Sequence, residues 1–414
     1  MWQLFIRENV YMERIAETLS TPVTHECDVL VAGGGVAGIA AALSAARQGS
    51  RVILLEKQFM LGGLATAGLV TIYLPLCDGK GHQISFGIAE ELLRLSVQYG
   101  YEKDYPTAWL EGGSLEEKTQ QRFQVRYNAQ LFAMTAEQLL LKEGVTILYG
   151  TSACSVAMAD KVDVANDKIT AVIVENKSGR TAIKVKSVID ATGDADICAM
   201  AGVETALFGP GNILAAWHYC ENGRGYDLCM LGYAEIPEED RTEETKTLIA
   251  RRFRGVDGQE LSEMMQLTHE RILEEVVRKK QENPAYMPVT IATIPQIRMT
   301  RRIVGGYTME TSDERKDFED SVGMISNWKK RGPVYEVPYR ALYSAKVKNL
   351  ITAGRNISAG DAMWDVTRVI PACAVTGEAA GVAASMTDDF AALDTARLQE
   401  KLMDCGVKLF YSQL

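Results

Sequence analysis

The sequence lacks three patterns that would each point to a particular class of protein. It has no basic run, and its formal net charge is −10, which argues against nucleic acid or an anionic membrane surface as a partner. No apolar stretch reaches the roughly 18 residues of a membrane-spanning helix. None of its eight cysteines forms a C-x-x-C pair. This argues against a zinc ribbon, a ferredoxin-type cluster and a thioredoxin-like dithiol, so we expect no metal site.

Scattered cysteines in a chain of 414 residues are typical of reduced thiols in the cytoplasm, where we expect this protein to be located. The first twenty residues do not resemble a secretory signal, because charges interrupt the apolar residues from Arg7 onward. The pattern predicts instead a short amphipathic helix that ends at Pro22.

The most informative stretch that is present runs from Asp28 to Gly49, DVLVAGGGVAGIAAALSAARQG. It predicts a strand, a glycine turn and a helix, and RVILLE after it predicts a second strand. Gly33, Gly35 and Gly38 form G-x-G-x-x-G. The first glycine permits the tight turn, the second lets backbone approach a pyrophosphate, and the third lets the helix pack close to the strand. This order predicts a dinucleotide-binding βαβ unit.

Glu56 ends the second strand, 23 residues after Gly33, where an acid accepts hydrogen bonds from a ribose hydroxyl. An acid at this position disfavours a 2′-phosphate and therefore NADP. The pyrophosphate would lie on the free N–H groups at the start of the helix, near Val36 and Ala37. The loop alone leaves both a nicotinamide and a flavin dinucleotide open.

Three further motifs favour the flavin. They are GGLAT at Gly62–Thr66, VIDATGDAD at Val188–Asp196, and LITAGRNISAGD, which ends at Asp361. Together they resemble the FAD-binding fold shared by the glutathione-reductase-like flavoproteins. The resemblance implies FAD, with Asp361 at its ribityl or phosphate part and with Gly354 and Arg355 in the preceding turn.

A narrower resemblance is to the FAD-dependent oxidoreductase family of bacterial proteins, carried by IPQIRMTRRIVGGYTM and TRVIPACAVTGEAAGVAAS. That family usually has an acid where this chain has Met299. The resemblance implies that the helix after Pro371 directs its first turn, near Ala372, at the flavin, where its positive end would stabilise the reduced anion. Arg368 lies in the loop before that helix. Only one dinucleotide fingerprint is present, so no built-in NAD(P)H domain is expected.

The predicted cofactor-binding residues are Gly33, Gly35, Val36, Ala37, Gly38, Glu56, Lys57, Gly62, Gly63, Leu64, Ala65, Thr66, Ala191, Thr192, Gly193, Gly354, Arg355, Asp361, Arg368 and Ala372.

The expected fold is α/β, with a Rossmann-like FAD-binding domain that combines a parallel sheet and an antiparallel β-meander, and with an inserted α+β substrate domain. The predicted boundaries are 1–24 for an N-terminal arm or helix, 25–205 and 346–390 for the discontinuous FAD domain, 206–345 for the substrate domain, and 391–414 for a C-terminal helical segment. A charged helix over about 243–282 is predicted inside the insertion.

Four side chains are candidates for chemistry. His82 lies in a glycine-rich loop beyond GGLAT and His218 lies early in the insertion, and either could transfer a proton. In the alternating segment PQIRMTRRI, Arg298 and Arg302 fall on one strand face and could hold an anionic substrate. The simpler interpretation is that the histidines are structural and that the arginines pair with acids or are solvated.

The sequence therefore predicts an enzyme, a FAD-dependent oxidoreductase that transfers hydride between a small organic substrate and flavin N5. An anionic substrate is one option. A separate electron donor or acceptor is expected, and a homo-oligomer is an open option. Three alternatives remain at this point: a flavin-dependent monooxygenase, a non-catalytic FAD-binding protein, and a protein that binds NAD alone.

Overall fold

The computed structural model describes residues 15–100, 105–110, 112–122, 124–159, 167–232 and 246–414. The strands are β1 Val23–Ala32, β2 Val52–Glu56, β3 Ile72–Tyr73, β4 Val125–Arg126, β5 Thr146–Tyr149, β6 Ser152–Met158, β7 Ile169–Asn176, β8 Gly179–Asp190, β9 Thr205–Leu207, β10 Ala216–Glu221, β11 Tyr226–Leu231, β12 Met287–Ile291, β13 Arg301–Ile303, β14 Ser321–Ser326, β15 Val334–Pro338 and β16 Leu350–Thr352. The helices are α1 Val36–Arg47, α2 Ile88–Val97, α3 Thr107–Leu110, α4 Leu115–Gln120, α5 Ala129–Lys142, α6 Asp196–Met200, α7 Gly258–Glu282, α8 Asp361–Thr367, α9 Ile370–Met386 and α10 Thr395–Asp404.

A seven-stranded sheet organises the molecule, with the order β5-β2-β1-β8-β7-β6 and with β16 also paired to β8. Strands β5, β2, β1, β8 and β16 are parallel, whereas β7 is antiparallel to both β8 and β6. The long strand β8 joins the two parts, because its first residues pair with β7 and its last three pair with β16. The predicted fold class, a parallel sheet with an antiparallel meander, is confirmed.

Helices α1 and α9 pack against each other beside this sheet, and small residues set how closely they approach. A Cβ added at Gly377 would lie 2.3 Å from the carbonyl oxygen of Ala37, and one added at Gly381 would lie 2.3 Å from that of Ala41. Both helices are apolar on nearly every side, which is the pattern of helices in the interior of a protein. Small residues of α9, far along the chain from the glycine loop, thus fix the position of α1, the helix that follows this loop.

The inserted part of the chain forms its own small layer, in which β11, β10 and β12 make a sheet covered by α7. The charged helix predicted over about 243–282 is observed as α7, which begins at Gly258. Residues 246–257 are not helical, and residues 243–245 lie outside the described part of the chain. The Asp257 side chain caps α7 by accepting from the Glu260 N–H at 2.8 Å. The Glu260 carboxylate in turn accepts from the N–H groups of Arg254 and Gly255, which holds the preceding residues in a turn.

The segment between β12 and β13 is also not the continuous alternating strand that was predicted. Pro295 has no N–H to donate to a neighbouring strand. Further along, the side chain of Asn212 accepts hydrogen bonds from the N–H groups of both Arg298 and Met299, at 3.1 and 3.0 Å. These bonds replace a strand ladder, so Arg298 and Arg302 do not share one strand face.

The two ends of the described chain differ in structure. Of the predicted N-terminal helix, residues 1–14 lie outside the described part, and residues 15–22 form no helix and are mostly exposed. The chain returns to the main sheet at β16, and α10 lies in the predicted C-terminal segment. The limits of the domains themselves stay a prediction.

Among the described residues no single helix is long and apolar enough to cross a bilayer, and the bent pair α8–α9 reaches that length and composition only across a break of 85°.

Candidate functional site

The glycine turn after β1 is shaped by close backbone contacts. Gly33 has a φ of 108°, and a Cβ there would lie 2.5 Å from the carbonyl oxygen of Ala191. A Cβ at Gly38 would lie 1.8 Å from the carbonyl oxygen of Gly33. Gly35 is the N-cap of α1 and supplies no capping side chain. The first N–H groups of α1 therefore stay available to an anion at the positive end of the helix.

The carboxylate of Glu56 holds this turn from the end of the neighbouring strand. It accepts from the N–H of Gly34 at 2.9 Å and from the N–H of Gln58 at 2.7 Å. The side chain is buried, and this burial raises its pKa even though both amide bonds favour the ionised form. A buried carboxylate with remaining acceptor capacity suits a ribose with two hydroxyl donors.

A second glycine-rich segment lies directly against the first. The N–H of Gly62 donates to the carbonyl oxygen of Gly34 at 2.7 Å, and Gly62 and Gly63 both have positive φ. The Thr66 hydroxyl donates to the carbonyl of Leu61, which closes the turn. Backbone from two separate loops thus lines the same space without intervening side chains.

The turn after β8 forms the third wall of this space. Asp190 is fully buried, where desolvation raises its pKa, and it accepts from the Thr192 hydroxyl at 2.6 Å and from the Cys198 N–H at 3.0 Å. Beyond the turn, the Arg355 Nε donates to the carbonyl oxygen of Gly193 at 2.8 Å. An Nη of Arg355 also lies 2.8 Å from the carboxylate of Asp194. These bonds join the β8 turn to the turn after β16.

The start of α9 closes the site. Its N-cap is Val369, which offers no capping side chain, and Pro371 occupies its first turn. The Gly354 N–H is held by the Thr376 hydroxyl at 2.9 Å. Because the start of α9 has no capping side chain, its first N–H groups are free and its positive end faces the site.

These parts enclose a cavity of about 640 Å³. That volume is within the range of roughly 300–1,000 Å³ found for small-molecule and cofactor sites. The cavity lies at the carboxyl ends of parallel strands, where ligands bind in open α/β sheets. Its lining residues are Ala32, Gly33, Gly35, Val36, Ala37, Leu55, Glu56, Lys57, Gln58, Gly62, Gly63, Leu64, Ala65, Thr151, Ser152, Ala153, Ala191, Thr192, Gly193, Asp194, Asp196, Gly255, Leu261, Thr293, Ile294, Pro295, Ile297, Ala353, Gly354, Arg355, Arg368, Ile370 and Cys373.

The residues present fit a flavin dinucleotide. Backbone cradles that a Cβ would fill, two uncapped helix starts and one buried carboxylate match the needs of a pyrophosphate, a ribose and a reducible ring system. The family model for FAD-dependent oxidoreductases matches residues 28–213 and 214–402. The chain belongs to this family. Its cofactor is therefore FAD, and it is an oxidoreductase.

Two curated relatives match shorter stretches of this flavoprotein. A thioredoxin reductase of Ureaplasma parvum serovar 3 is 39% identical over 75 residues, which are 18% of this chain and 24% of the relative. A 4-oxocyclohex-2-ene-1-carboxylate 5-dehydrogenase of Sinomonas cyclohexanicum is 45% identical over 58 residues, which are 14% of this chain and 10% of the relative. The chain thus matches about a quarter and a tenth of the lengths of these relatives.

Among solved structures, a geranylgeranyl bacteriochlorophyll reductase-like protein from Thermoplasma acidophilum is similar over 92% of this chain and 83% of its own. Its sequence identity is 14% and its TM-score is 0.42.

Most of the predicted cofactor residues line the cavity of the flavoprotein, and four do not. Gly38 packs beneath the turn, and Thr66 bonds within its own loop. Ala372 is buried in the core, and Asp361 is exposed at the start of α8. The assignment of all these residues to FAD stays a prediction.

The two candidate histidines lie outside the cavity lining. His82 is held by Asp78, whose fully buried carboxylate lies 3.2 Å from the His82 Nδ1. His218 is buried in β10, where desolvation lowers its pKa, and its Nε2 lies 3.3 Å from the hydroxyl of Tyr286. The structure does not bring these two histidines together.

The two candidate arginines also lie outside the lining. The Arg298 guanidinium lies over the Trp217 ring, 4.9 Å from its centroid, and donates to the carbonyl of Gln296. The Arg302 guanidinium lies 6.0 Å from the centroid of Trp364, where burial lowers its pKa. The two arginines therefore contact different aromatic rings.

Apart from near neighbours of the predicted residues, sequence reasoning missed two groups of cavity residues. Thr151, Ser152 and Ala153 follow β5, so their place at the end of a parallel strand was a usable signal. The wall from the inserted part carried no such signal, because long-range packing alone brings it to the cavity. Its residues are Gly255, Leu261, Thr293, Ile294, Pro295 and Ile297.

Proposed function

We propose that this FAD-dependent oxidoreductase transfers hydride between a small organic substrate and flavin N5, and exchanges the electrons with a separate donor or acceptor. Bound FAD supplies a ring that accepts or releases two electrons. The observation that carries the proposal is the single cavity formed jointly by the glycine loops and by residues 293–297 of the insertion. A cavity shared in this way allows a substrate held by the insertion to meet the cofactor.

The chain's own residues would act on this reaction in three ways. The positive start of α9 would stabilise negative charge on the reduced cofactor. Leu261, Ile294 and Ile297 would exclude water and contact the apolar part of the substrate. Arg368, which lines the same cavity with its guanidinium paired to Asp365, would donate a hydrogen bond to an oxygen of the substrate.

The roles of His82 or His218 in proton transfer, and of Arg298 or Arg302 in substrate anchoring, belong to this proposal. These four side chains lie outside the cavity lining. They could act only if the substrate extends beyond the cavity or if the side chains turn toward it. A flavin-dependent monooxygenase would use the same cofactor, and the requirement for oxygen distinguishes it from the proposed enzyme.

The test is an anaerobic screen of small carboxylates, alcohols, enones and amines for bleaching of the flavin absorbance. We expect one class to bleach the flavin without oxygen, and alanine variants of the four candidates and of Arg368 to identify which side chains matter. The proposal is wrong if no substrate class bleaches the flavin, or if product forms only when oxygen and NAD(P)H are both present.

A further inference from the structure

A group of cations without carboxylate partners surrounds the loop between β14 and β15. We call Lys80, Arg122, Arg315, Lys330 and Arg331 the basic patch. In the part of the chain that the structure describes, none of them forms an ion pair within 4.0 Å, although many other lysines and arginines there do. On a chain with a formal net charge of −10, this concentration of positive charge is a local exception.

Backbone carbonyl groups hold the three arginines of the basic patch. Arg122 donates to the carbonyl oxygens of residues 327 and 328 at 2.7 and 2.9 Å. Arg331 donates to those of residues 79 and 119 at 2.9 and 2.7 Å. Arg315 donates to the carbonyl oxygen of Gly332 at 3.3 Å. A carbonyl orients a guanidinium without cancelling its charge, so the basic patch is both ordered and positively charged.

The loops that carry the basic patch are tied to each other. The Gly332 N–H donates to the carbonyl oxygen of Asp78 at 2.8 Å. The Lys80 side chain lies over Gly332, where its Nζ would be 2.9 Å from an added Cβ. Burial, and to a lesser degree the neighbouring Arg331 charge, lower the pKa of Arg122. The like charges are therefore close enough to act as one surface.

A short chain of contacts joins the basic patch to the cofactor cavity. Lys329, beside the patch, lies 2.5 Å from the carboxylate of Asp365. The same carboxylate binds Arg368, which lines the cavity. The Trp328 Nε1 donates to the Asp365 carbonyl oxygen at 3.0 Å. A partner on the basic patch would thus be near the α9 side of the FAD site.

We propose that the basic patch is the docking surface for a small acidic electron-carrier protein that exchanges electrons with the FAD. This docking proposal rests on the proposed function only because it requires a separate electron partner. Two reduced carriers would each lose one electron, and FAD would gain these two electrons and one proton from solvent to give the reduced anion. A protein fits better than a small anion, because Lys80, Arg315, Lys330 and Arg331 are exposed at the surface and do not line the cofactor cavity.

Charge supports this partner in a second way. The positive surface on a negative molecule orients an approaching acidic protein before contact, and such steering weakens as salt shortens the Debye length. Arginine and tryptophan, the residue types of Arg122, Arg331 and Trp328, are also enriched among the side chains that dominate binding at interfaces.

The test uses an acidic [2Fe–2S] ferredoxin as the probe and a basic cytochrome c as the control of opposite charge. Surface plasmon resonance measures binding of oxidised ferredoxin to the FAD-loaded protein, and anaerobic stopped flow measures flavin reduction by the stoichiometrically reduced ferredoxin. We expect at least about a tenfold loss of ferredoxin affinity between about 20 and about 300 mM salt. The net charge of −10 attracts the basic cytochrome to other parts of the surface, so reversing charges in the basic patch should not weaken cytochrome binding.

The variant Lys80→Glu with Lys330→Glu reverses two charges whose side chains hold no described hydrogen bond. It should weaken ferredoxin binding about tenfold or more. The control variant, Lys177→Glu with Lys184→Glu, makes the same change in net charge. Its two lysines are exposed, one on β8 and one on the turn before it, and the variant should bind ferredoxin as tightly as the parent does. Equal losses in both variants, or no ferredoxin binding at low salt, would overturn the docking proposal. Substrate-driven bleaching tests the proposed function separately, since it needs no carrier.

Discussion

Glu56 is the residue that most directly connects the turn after β1 to the cavity. Its carboxylate accepts from two backbone N–H groups while the side chain lines the cavity. The sequence could predict this role because an acid at the end of the second strand has a defined chemical partner. It could not predict the buried, raised-pKa state, which depends on packing around the finished turn.

Glu56→Gln should weaken FAD binding by about ten- to a hundredfold, because a charge-assisted hydrogen bond becomes a neutral one and a donor faces the amides of the turn. Titration of the flavin-free protein with FAD, followed by flavin fluorescence, measures the change. Glu175→Gln, at an exposed ion pair with Arg180, is the control and should bind FAD as the parent does. Equal affinities of the two variants would remove Glu56 from the site.

Glu378 gives a pH-dependent prediction. It is buried in α9, accepts from the Ile88 N–H at 2.8 Å, and burial raises its pKa to about 8 from an ordinary value of 4.5. The folded state therefore favours the neutral acid. Its contribution to stability is fully present below the ordinary pKa and is lost as pH rises toward about 8.

Glu378→Gln, which cannot ionise and keeps an acceptor for Ile88, should be increasingly more stable than the parent as pH rises from about 5 to about 8.5. Thermal unfolding of both proteins across this range measures the difference in Tm. A difference that stays constant with pH would mean that Glu378 titrates near its ordinary value.

At the scale of elements, the β1–α1–β2 unit was predictable because its strand, glycines, helix and acid follow one another in the chain. Elements in the insertion were not predictable to the same degree. The start of α7 depends on the Asp257 cap, and the break before β13 depends on the Asn212 side chain, 86 residues from Arg298. The cavity wall at 293–297 depends on other long-range contacts, in which the Thr293 N–H donates to the Ala67 carbonyl and the Gln296 side chain donates to the Gly68 carbonyl.

The packing of α1 beneath its own turn can be tested with Gly38→Ala. The added methyl would lie 1.8 Å from the carbonyl oxygen of Gly33, so the turn must shift. We expect a loss of about 1–3 kcal/mol in the free energy of unfolding and a marked loss of FAD affinity. Denaturant unfolding and FAD titration measure the two effects.

Gly258→Ala, at the start of α7, is the matched control, because an added Cβ there meets nothing within 4 Å. It should leave FAD affinity unchanged and shift stability by no more than about 1 kcal/mol. If Gly38→Ala behaved in the same way, close helix packing would not be what shapes the cofactor turn.

At the scale of the whole molecule, the chain combines a sheet with its glycine loops, an inserted part that completes the cavity, and a basic patch on an otherwise acidic protein. The four candidate catalytic residues show where sequence reasoning reaches its limit. Residue type identifies histidine and arginine as capable of proton transfer and anion binding, but only packing decides which of them approach the cavity. Cytoplasmic location and oligomeric state stay predictions of the same kind.

The most direct test of the central claim is the FAD content of the purified protein, read from its visible spectrum and from the flavin released by heat, with Gly38→Ala measured alongside. The account predicts a yellow protein with about one FAD per chain, and a variant that loses most of its flavin. A colourless protein that fails to bind added FAD, or a variant that keeps a full complement, would contradict it.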